Sequence, residues 1–397
     1  MTAVILAHDT VAHETVGAVR IAMLSDCYLP RLGGIEVQTH DLTARLVQRG
    51  HDVVVFTATP GSKGQRFGVV EQVDGIEVHR MALRLPWDLP VNPLAPLQLR
   101  TRLRGFDVAH VHMGVVSPFA TDCAVLTRLL GLPTTMTWHC VLHRTEPAVD
   151  ALGVVRRWAR GGMAMNAVSD VAAAPLRRIV GDGIPISVLP NGIDTESWRP
   201  QERPPRQPGV VRFVSAMRLA RRKRPVELLE AMARVRAAAP EIDVRLEILG
   251  EGPDRGKLER RVSELAAHRW VSLPGRVPRE QLPARYADAD VYVSPSVLES
   301  FGIAALEART AGLPVVSRLG SGVGEFVTDG VNGLLADTDA ELADCMIRLA
   351  RDEPLRRKMT EHNLAVPPAQ DWSAVVHIAE REYERAIAAG DQGADRS

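Results

Sequence analysis

The sequence predicts an α/β protein of two Rossmann-like, doubly wound domains facing each other across a cleft. Three observations carry that expectation. Short apolar runs suited to buried strands alternate with amphipathic stretches; the alternation breaks at a proline-rich, charged segment near residue 200 and then restarts; and the polar motifs fall where a strand ends and a helix begins. A chain of 397 residues with 46% hydrophobic and 24% charged side chains is long enough for two such cores.

The first strand is expected in VRIAMLSD, from Val19 to Asp26, followed by the glycine-containing loop CYLPRLGGIE and the amphipathic stretch VQTHDLTARLVQRG. HDVVVFTA, IEVHRM, FDVAHVHM, PTTMTWHC, MNAVSD and ISVLPNGID continue the series as buried strands or strand ends. From Arg199 to Gly209, RPQERPPRQPG is too rich in proline and charge to form a core element and is read as a linker. The pattern resumes with VVRFVSAM, the amphipathic PVELLEAMARVRAAAP, and then VRLEILG, RWVSLPGR, DVYVSPS, GLPVVSR and GLLADT. Apolar residues at helical spacing in DWSAVVHIAEREYERAIAA predict a last helix that docks back on the first domain. The expected organisation is a tail over 1–19, domains over 20–199 and 210–370 joined by a linker at 200–209, and a returning helix over 371–390.

Basic and acidic side chains balance at 48 each, so global charge points neither to nucleic acid nor to an anionic surface. Lysine occurs only at positions 63, 223, 257 and 358, which makes Lys223 stand out in an arginine-rich chain. Cys27, Cys123, Cys140 and Cys345 have neither disulfide nor metal spacing and are read as reduced core or near-site residues; no metal site and no cofactor are expected. The first nineteen residues lack the basic start and apolar block of a signal peptide, and no run reaches the roughly 18 apolar residues of a spanning helix, so the expected location is the cytoplasm.

Two motifs in the second domain carry chemistry. In SAMRLARRKRP, Arg218 and Lys223 lie in the loop after that domain's first strand, where an arginine fork and a mobile ammonium suit a diphosphate; a solvated basic loop is the plainer reading. In ESFGIAALE, Glu299 and Ser300 follow the strand DVYVSPS, Phe301, Gly302 and Ile303 are expected to begin the helix, and Glu307 lies two turns further along. A carboxylate accepts two hydroxyl hydrogen bonds at once, which suits a sugar or ribose diol, while helix N–H groups beside Gly302 suit phosphate. Spacing alone also fits two ordinary helix acids.

Together ESFGIAALEA, GGIE, TWH, LPNGID, MRLARRK, LGEGP, LPGRV and SVLESFG resemble the retaining GT-B glycosyltransferases of family 4, over about residues 20 to 385. The resemblance implies that Glu299 contacts the transferred sugar, Glu307 the nucleotide ribose, and Arg218 and Lys223 the diphosphate. It further implies that Gly33 and Gly34 let backbone approach donor and acceptor, that His139 touches the donor sugar, and that Gly275, Arg276 and Val277 meet the base. Ser300, Phe301, Gly302 and Ile303 complete the implied donor site. The first domain would take the acceptor and the second an NDP-α-sugar carrying mannose, glucose or N-acetylglucosamine. Met217 replaces the glycine that commonly precedes the arginine, and Arg224 the glycine that follows the lysine.

The start SDCYLPRLGGIE is also similar to phosphatidylinositol glycosyltransferases. That implies a lipid acceptor and a peripheral contact at the inner membrane face through Arg100, Arg102 and Arg104 on a short helix with Leu94, Leu97, Leu99 and Leu103; an ordinary surface helix is the alternative. Other readings are a GT-B-fold sugar-nucleotide epimerase or hydrolase, a nicotinamide-dependent oxidoreductase, for which the GxGxxG fingerprint is missing, and a nucleotide-binding module.

Overall fold

The computed structural model describes residues 17–31, 33–83, 91–143, 145–200 and 202–394. Of the tail expected over 1–19, residues 1–16 lie outside the described residues.

The strands β1 (Arg20–Ser25), β2 (Asp52–Thr57), β3 (Val69–Val73), β4 (Ile76–Arg80), β5 (Val108–Met113), β6 (Thr134–Trp138), β7 (Ala164–Ala167) and β8 (Ser187–Val188) form one sheet in the order β3-β4-β2-β1-β5-β6-β7-β8. A second sheet holds β9 (Val210–Ala216), β10 (Asp243–Leu249), β11 (Val271–Gly275), β12 (Val291–Ser294), β13 (Val315–Arg318) and β14 (Gly333–Ala336) in the order β11-β10-β9-β12-β13-β14. The second sheet is parallel throughout, and so is the first except for the antiparallel hairpin β3-β4 at its edge. That edge strand is absent from the strands read in the sequence, because its residues are half or fully exposed and show no buried apolar run.

In a doubly wound sheet the winding reverses at a switch point, and the crevice beyond those strand ends takes the ligand. Here the switch points fall between β1 and β5 and between β9 and β12. The loops leaving β1, β9 and β12 therefore matter most. They hold Gly33 and Gly34, then Arg218 and Lys223, then Glu299.

Along β1, Ile21 and Met23 face one core, while Ala22 and Leu24 face the other, as the two-residue period of a strand requires. The first of these cores is closed by helix α1 (Gly34–Gln48) and by the C-terminal helix Trp372–Ala394, which contributes Val375, Val376, Ala379 and Tyr383. The returning helix runs four residues beyond its predicted end at residue 390. Its entry point is fixed by the motif LPNGID: Gln38 clamps both the N–H and the C=O of Gly192, and Ile193 bridges to Asp371. A Cβ on Gly192 would stand 2.3 Å from the Trp372 ring, so the motif's glycine lets the chain cross under the tryptophan.

The other core runs from the first sheet through the helix Asp170–Val180 into the second sheet's Phe301, Val323 and Phe326, joining the two halves by apolar contact. The linker has no helix or strand among its described residues, but it is tied down. Arg206 donates to the carbonyls of Ala287, Asp288 and Ala289, and Arg203 to that of Ala289. No described helix is long and apolar enough to cross a membrane.

Candidate active site between the two sheets

On the second-sheet side, the loop after β9 turns through a short 3-10 segment, Arg221–Lys223, which brings Lys223 Nζ to 2.5 Å from Glu299 Oε2. Two residues 76 positions apart are thus paired at the mouth of the sheet. The shape of this loop depends on glycines in LGEGP. A Cβ on Gly250 would fall 1.9 Å from the carbonyl oxygen of Met217, and one on Gly252 2.3 Å from that of Leu219. Backbone bonds from Met217 to Leu249 and from Leu219 to Glu251 lock the crossing. Arg218 is exposed beside this crossing, and its side chain makes no hydrogen bond or ion pair among the described residues.

Met217 is accommodated because it packs partly buried against the second sheet's core. Arg224, where the family places glycine, has φ of +59° and caps the helix Pro225–Ala238. A left-handed backbone costs a side-chain-bearing residue about 1–2 kcal/mol. Two hydrogen bonds to Asp339, at 2.7 and 2.5 Å, hold the guanidinium and offset part of that cost.

The ESFG segment departs from its expected local structure. The helix begins at Ile303, and Gly302 is its cap with φ of +94°; Phe301 precedes it. A Cβ on Gly302 would meet Val323 at 2.7 Å, so the glycine is required by backbone angle and packing as well as by any ligand. Phe301 is 1% exposed and packs against Phe326 with ring centroids 5.5 Å apart. Its side chain belongs to the core. Ser300 meets the other wall: its carbonyl accepts from Ser169 Oγ at 2.5 Å.

Glu307 is 6% exposed, and burial pushes its carboxyl up to about 8, against the lowering effect of Arg279. Arg279 stands 3.6 Å from Glu307 Oε1 and 2.9 Å from Asp41 Oδ2 on α1, so one guanidinium links the predicted ribose carboxylate to the opposite half of the protein. Gly275 ends β11 at φ of +85°, and its carbonyl accepts from Gly250 N–H; Arg276 is exposed, and Val277 packs on the core shared by the two halves.

On the first-sheet side, Gly33 caps α1 with extended backbone and Gly34 is the helix's first residue. A Cβ on Gly34 would come to 3.1 Å from Ile303 Cδ1, so the missing side chain lets this helix end approach the helix that begins at Ile303 directly. His139 follows β6, and its ring Nε2 lies 2.9 Å from His112 Nδ1. Burial lowers His139 to about 4, leaving the imidazole neutral at neutral pH. The neighbouring strand β7 leads into Ser169, so His139 and the Ser169 contact with Ser300 share one sheet edge.

The expected apolar and basic surface helix is α2 (Ala95–Arg102). Leu99 and Leu103 are buried, Leu94 and Leu97 are exposed, Arg104 lies beyond the helix end, and Arg102 bonds His79 Nδ1 at 2.7 Å. The outward surface is therefore smaller than the sequence suggests, because half of the leucines serve the first core.

Several participants escape sequence reading. Gly322 donates its N–H to the Glu299 carbonyl, and a Cβ there would lie 2.2 Å from the Ser300 carbonyl oxygen. The triple glycine of LGSGVGE after a buried strand was the available signal. Asp41, Arg279, Ser169 and His112 act through contacts distant in sequence, which spacing does not reveal.

Two α/β sheets facing each other, parallel but for one edge hairpin, have the GT-B architecture. The solved structure of Anabaena HepE in complex with UDP and glucose has this fold: TM-score 0.69, 17% identity, covering 92% of this chain and 99% of that one. Residues 194–364 match the family described as Glycosyl transferases group 1, and residues 32–197 match Glycosyltransferase Family 4. The chain belongs to this glycosyltransferase family and is a hexosyltransferase. Among curated relatives, the D-inositol 3-phosphate glycosyltransferase of Pseudarthrobacter chlorophenolicus is 29% identical, over 89% of this chain and 91% of that one. The GDP-mannose-dependent alpha-(1-6)-phosphatidylinositol monomannoside mannosyltransferase of Mycobacterium tuberculosis is 27% identical, over 84% and 89% respectively.

Proposed function

We propose that the protein moves a hexose from an NDP-α-sugar to an acceptor hydroxyl with retention of the α configuration and without a metal ion. The observation that carries this reading is the Lys223–Glu299 pair at 2.5 Å, with Arg218 exposed beside it at the switch point of the second sheet. A diphosphate arriving there meets a cation that is already positioned. The ammonium can then turn from Glu299 to phosphate oxygen, leaving the carboxylate for sugar hydroxyls.

In the reaction the bond from the anomeric carbon to the β-phosphate oxygen breaks, and a bond to the acceptor oxygen forms on the same face. The acceptor proton passes to the departing phosphate. Negative charge grows on the diphosphate as the bond lengthens, and Arg218 and Lys223 stabilise it more than they stabilise the bound donor. Glu307 takes the ribose hydroxyls, and closing the two walls excludes water, which would otherwise accept the sugar.

The acceptor, on this reading, carries an inositol group, as the names of the relatives suggest. Exposed Leu94 and Leu97 beside Arg100 and Arg104 support a contact with anionic lipid, which co-sedimentation with vesicles containing phosphatidylinositol would check.

The test is thermal stabilisation by GDP-mannose, UDP-glucose, UDP-N-acetylglucosamine, GDP and UDP, with NAD as control. One nucleotide and its sugar donor should raise Tm in the wild type and fail to do so in Arg218→Ala/Lys223→Ala. A response to NAD alone, or to none of them, would overturn the reading. Chelator should leave turnover unchanged.

A further inference from the structure

His110 and His112 lie two residues apart on β5 and so share one face of the first sheet, their rings stacked with centroids 4.1 Å apart. His110 is satisfied on both nitrogens, by Tyr383 Oη at 2.9 Å and Thr137 Oγ1 at 2.7 Å. His112 is held differently. Its Nδ1 lies 2.9 Å from His139 Nε2, and its Nε2 lies 3.4 Å from Met23 Sδ.

A thioether sulfur has no proton to give, so it can only accept. A neutral imidazole has one N–H, and the sulfur therefore decides where that proton sits. With the proton on His112 Nε2, the ring donates to Met23 and its bare Nδ1 accepts from His139 Nε2–H. In the opposite arrangement, a nitrogen lone pair on His112 would face sulfur lone pairs, and one of the two contacts would be lost. Burial keeps all three histidines neutral, with His110 lowered to about 3, His139 to about 4 and His112 well below the ordinary histidine value.

The consequence reaches the cleft. If His139 holds its proton on Nε2, its other nitrogen, Nδ1, is an acceptor, and no protein group bonds it among the described residues. We propose that Met23 and His112 are positioning residues that fix His139 in the Nε2–H tautomer, so that His139 Nδ1 accepts a hydrogen bond from a hydroxyl of the transferred sugar. This rests on the reading of His139 as a donor-sugar contact. The ligand class is specific: a hydroxyl that donates, not a carbonyl or phosphate oxygen that would need a donor.

The experiment uses the full chain labelled with ¹⁵N-histidine, with His139 assigned by its disappearance in His139→Gln. Long-range proton–nitrogen spectra should show His139 protonated at Nε2 with a bare Nδ1, and Met23→Leu should shift the ring toward a mixture of tautomers. A wild-type His139 protonated at Nδ1 would overturn the proposal. In turnover assays His112→Asn, which keeps an acceptor oxygen near the place of Nδ1, should stay within about threefold of wild type, and His112→Leu should lose about tenfold or more in kcat/KM. Equal losses in the two variants would contradict a positioning role. If His112→Leu does not fold, the Met23→Leu spectrum still decides the tautomer. Full turnover in His139→Gln would sink the sugar contact itself, a failure distinct from a wrong tautomer.

Discussion

The two walls of the cleft are built from opposite materials. On the first-sheet wall the histidines are neutral and almost fully paired: His139 bonds His112, and His110 bonds Tyr383 and Thr137, behind a helix end stripped of side chains by Gly33 and Gly34, and among the described residues only His139 Nδ1 is left for a ligand. The second-sheet wall is charged. Arg218, Lys223 and Glu299 crowd the ends of β9 and β12, and two of them neutralise each other. Neutral polar groups can be organised permanently because their partners are inside the protein. Charges meant for a substrate need a temporary partner, or they destabilise the fold that carries them.

The strongest way to break this contrast is to remove the cations. Arg218→Ala/Lys223→Ala should lower kcat by about a hundredfold or more, the scale of losing preorganised charge at a transition state. Its Tm should fall modestly, since Glu299 then sits with 12% of its side chain exposed and no partner. Rates near wild type would remove the second wall from catalysis.

Glu307 sharpens the contrast through pH. Its carboxyl is raised from 4.5 to about 8 in the folded protein, so the fold keeps a proton that the unfolded chain releases between those values. The cost of ionising it is absent below that window and complete above it. Glu307→Gln should therefore leave Tm near pH 4 unchanged and raise it by about 2–4 °C above pH 8. Above pH 8, where the Glu307 carboxylate offers one acceptor oxygen to each ribose hydroxyl, affinity for the nucleoside diphosphate should drop about tenfold in the same variant, whose amide has a single acceptor oxygen. Lower stability at high pH would contradict the burial cost.

Behind the neutral wall, Tyr383→Phe leaves a buried His110 nitrogen without its partner at 2.9 Å and should lower Tm by about 2–4 °C with turnover retained. Loss of turnover without loss of stability would extend the catalytic unit to the C-terminal helix. The smallest effect is expected from Arg224→Gly. Relief of the left-handed backbone opposes loss of the Asp339 bonds, so Tm should move by about 1 °C or less.

What could be seen in the sequence follows from the same contrast. Strands buried on both faces read as apolar runs, whereas β3, exposed along the sheet edge, does not. The C-terminal helix was visible from its apolar spacing, but its end beyond Gly390 was not, since glycine usually weakens a helix there. Lys223 and Glu299 stood out by rarity and by motif, and the fold joins them. Phe301 sat inside the same motif and proved to be core, because a motif records that a residue is needed without saying whether ligand or packing needs it. Asp41, Arg279 and His112 are ordinary residues made important only by what the fold sets beside them.

The most direct measurement of the central claim is proton NMR of the purified protein turning over the donor identified by thermal stabilisation, with inositol phosphate and phosphatidylinositol as acceptors. The chemistry proposed for the Arg218, Lys223 and Glu299 wall predicts release of nucleoside diphosphate together with a new α-linked glycoside, identified by its anomeric coupling. A β-linked product, or free sugar as the only product, would contradict it.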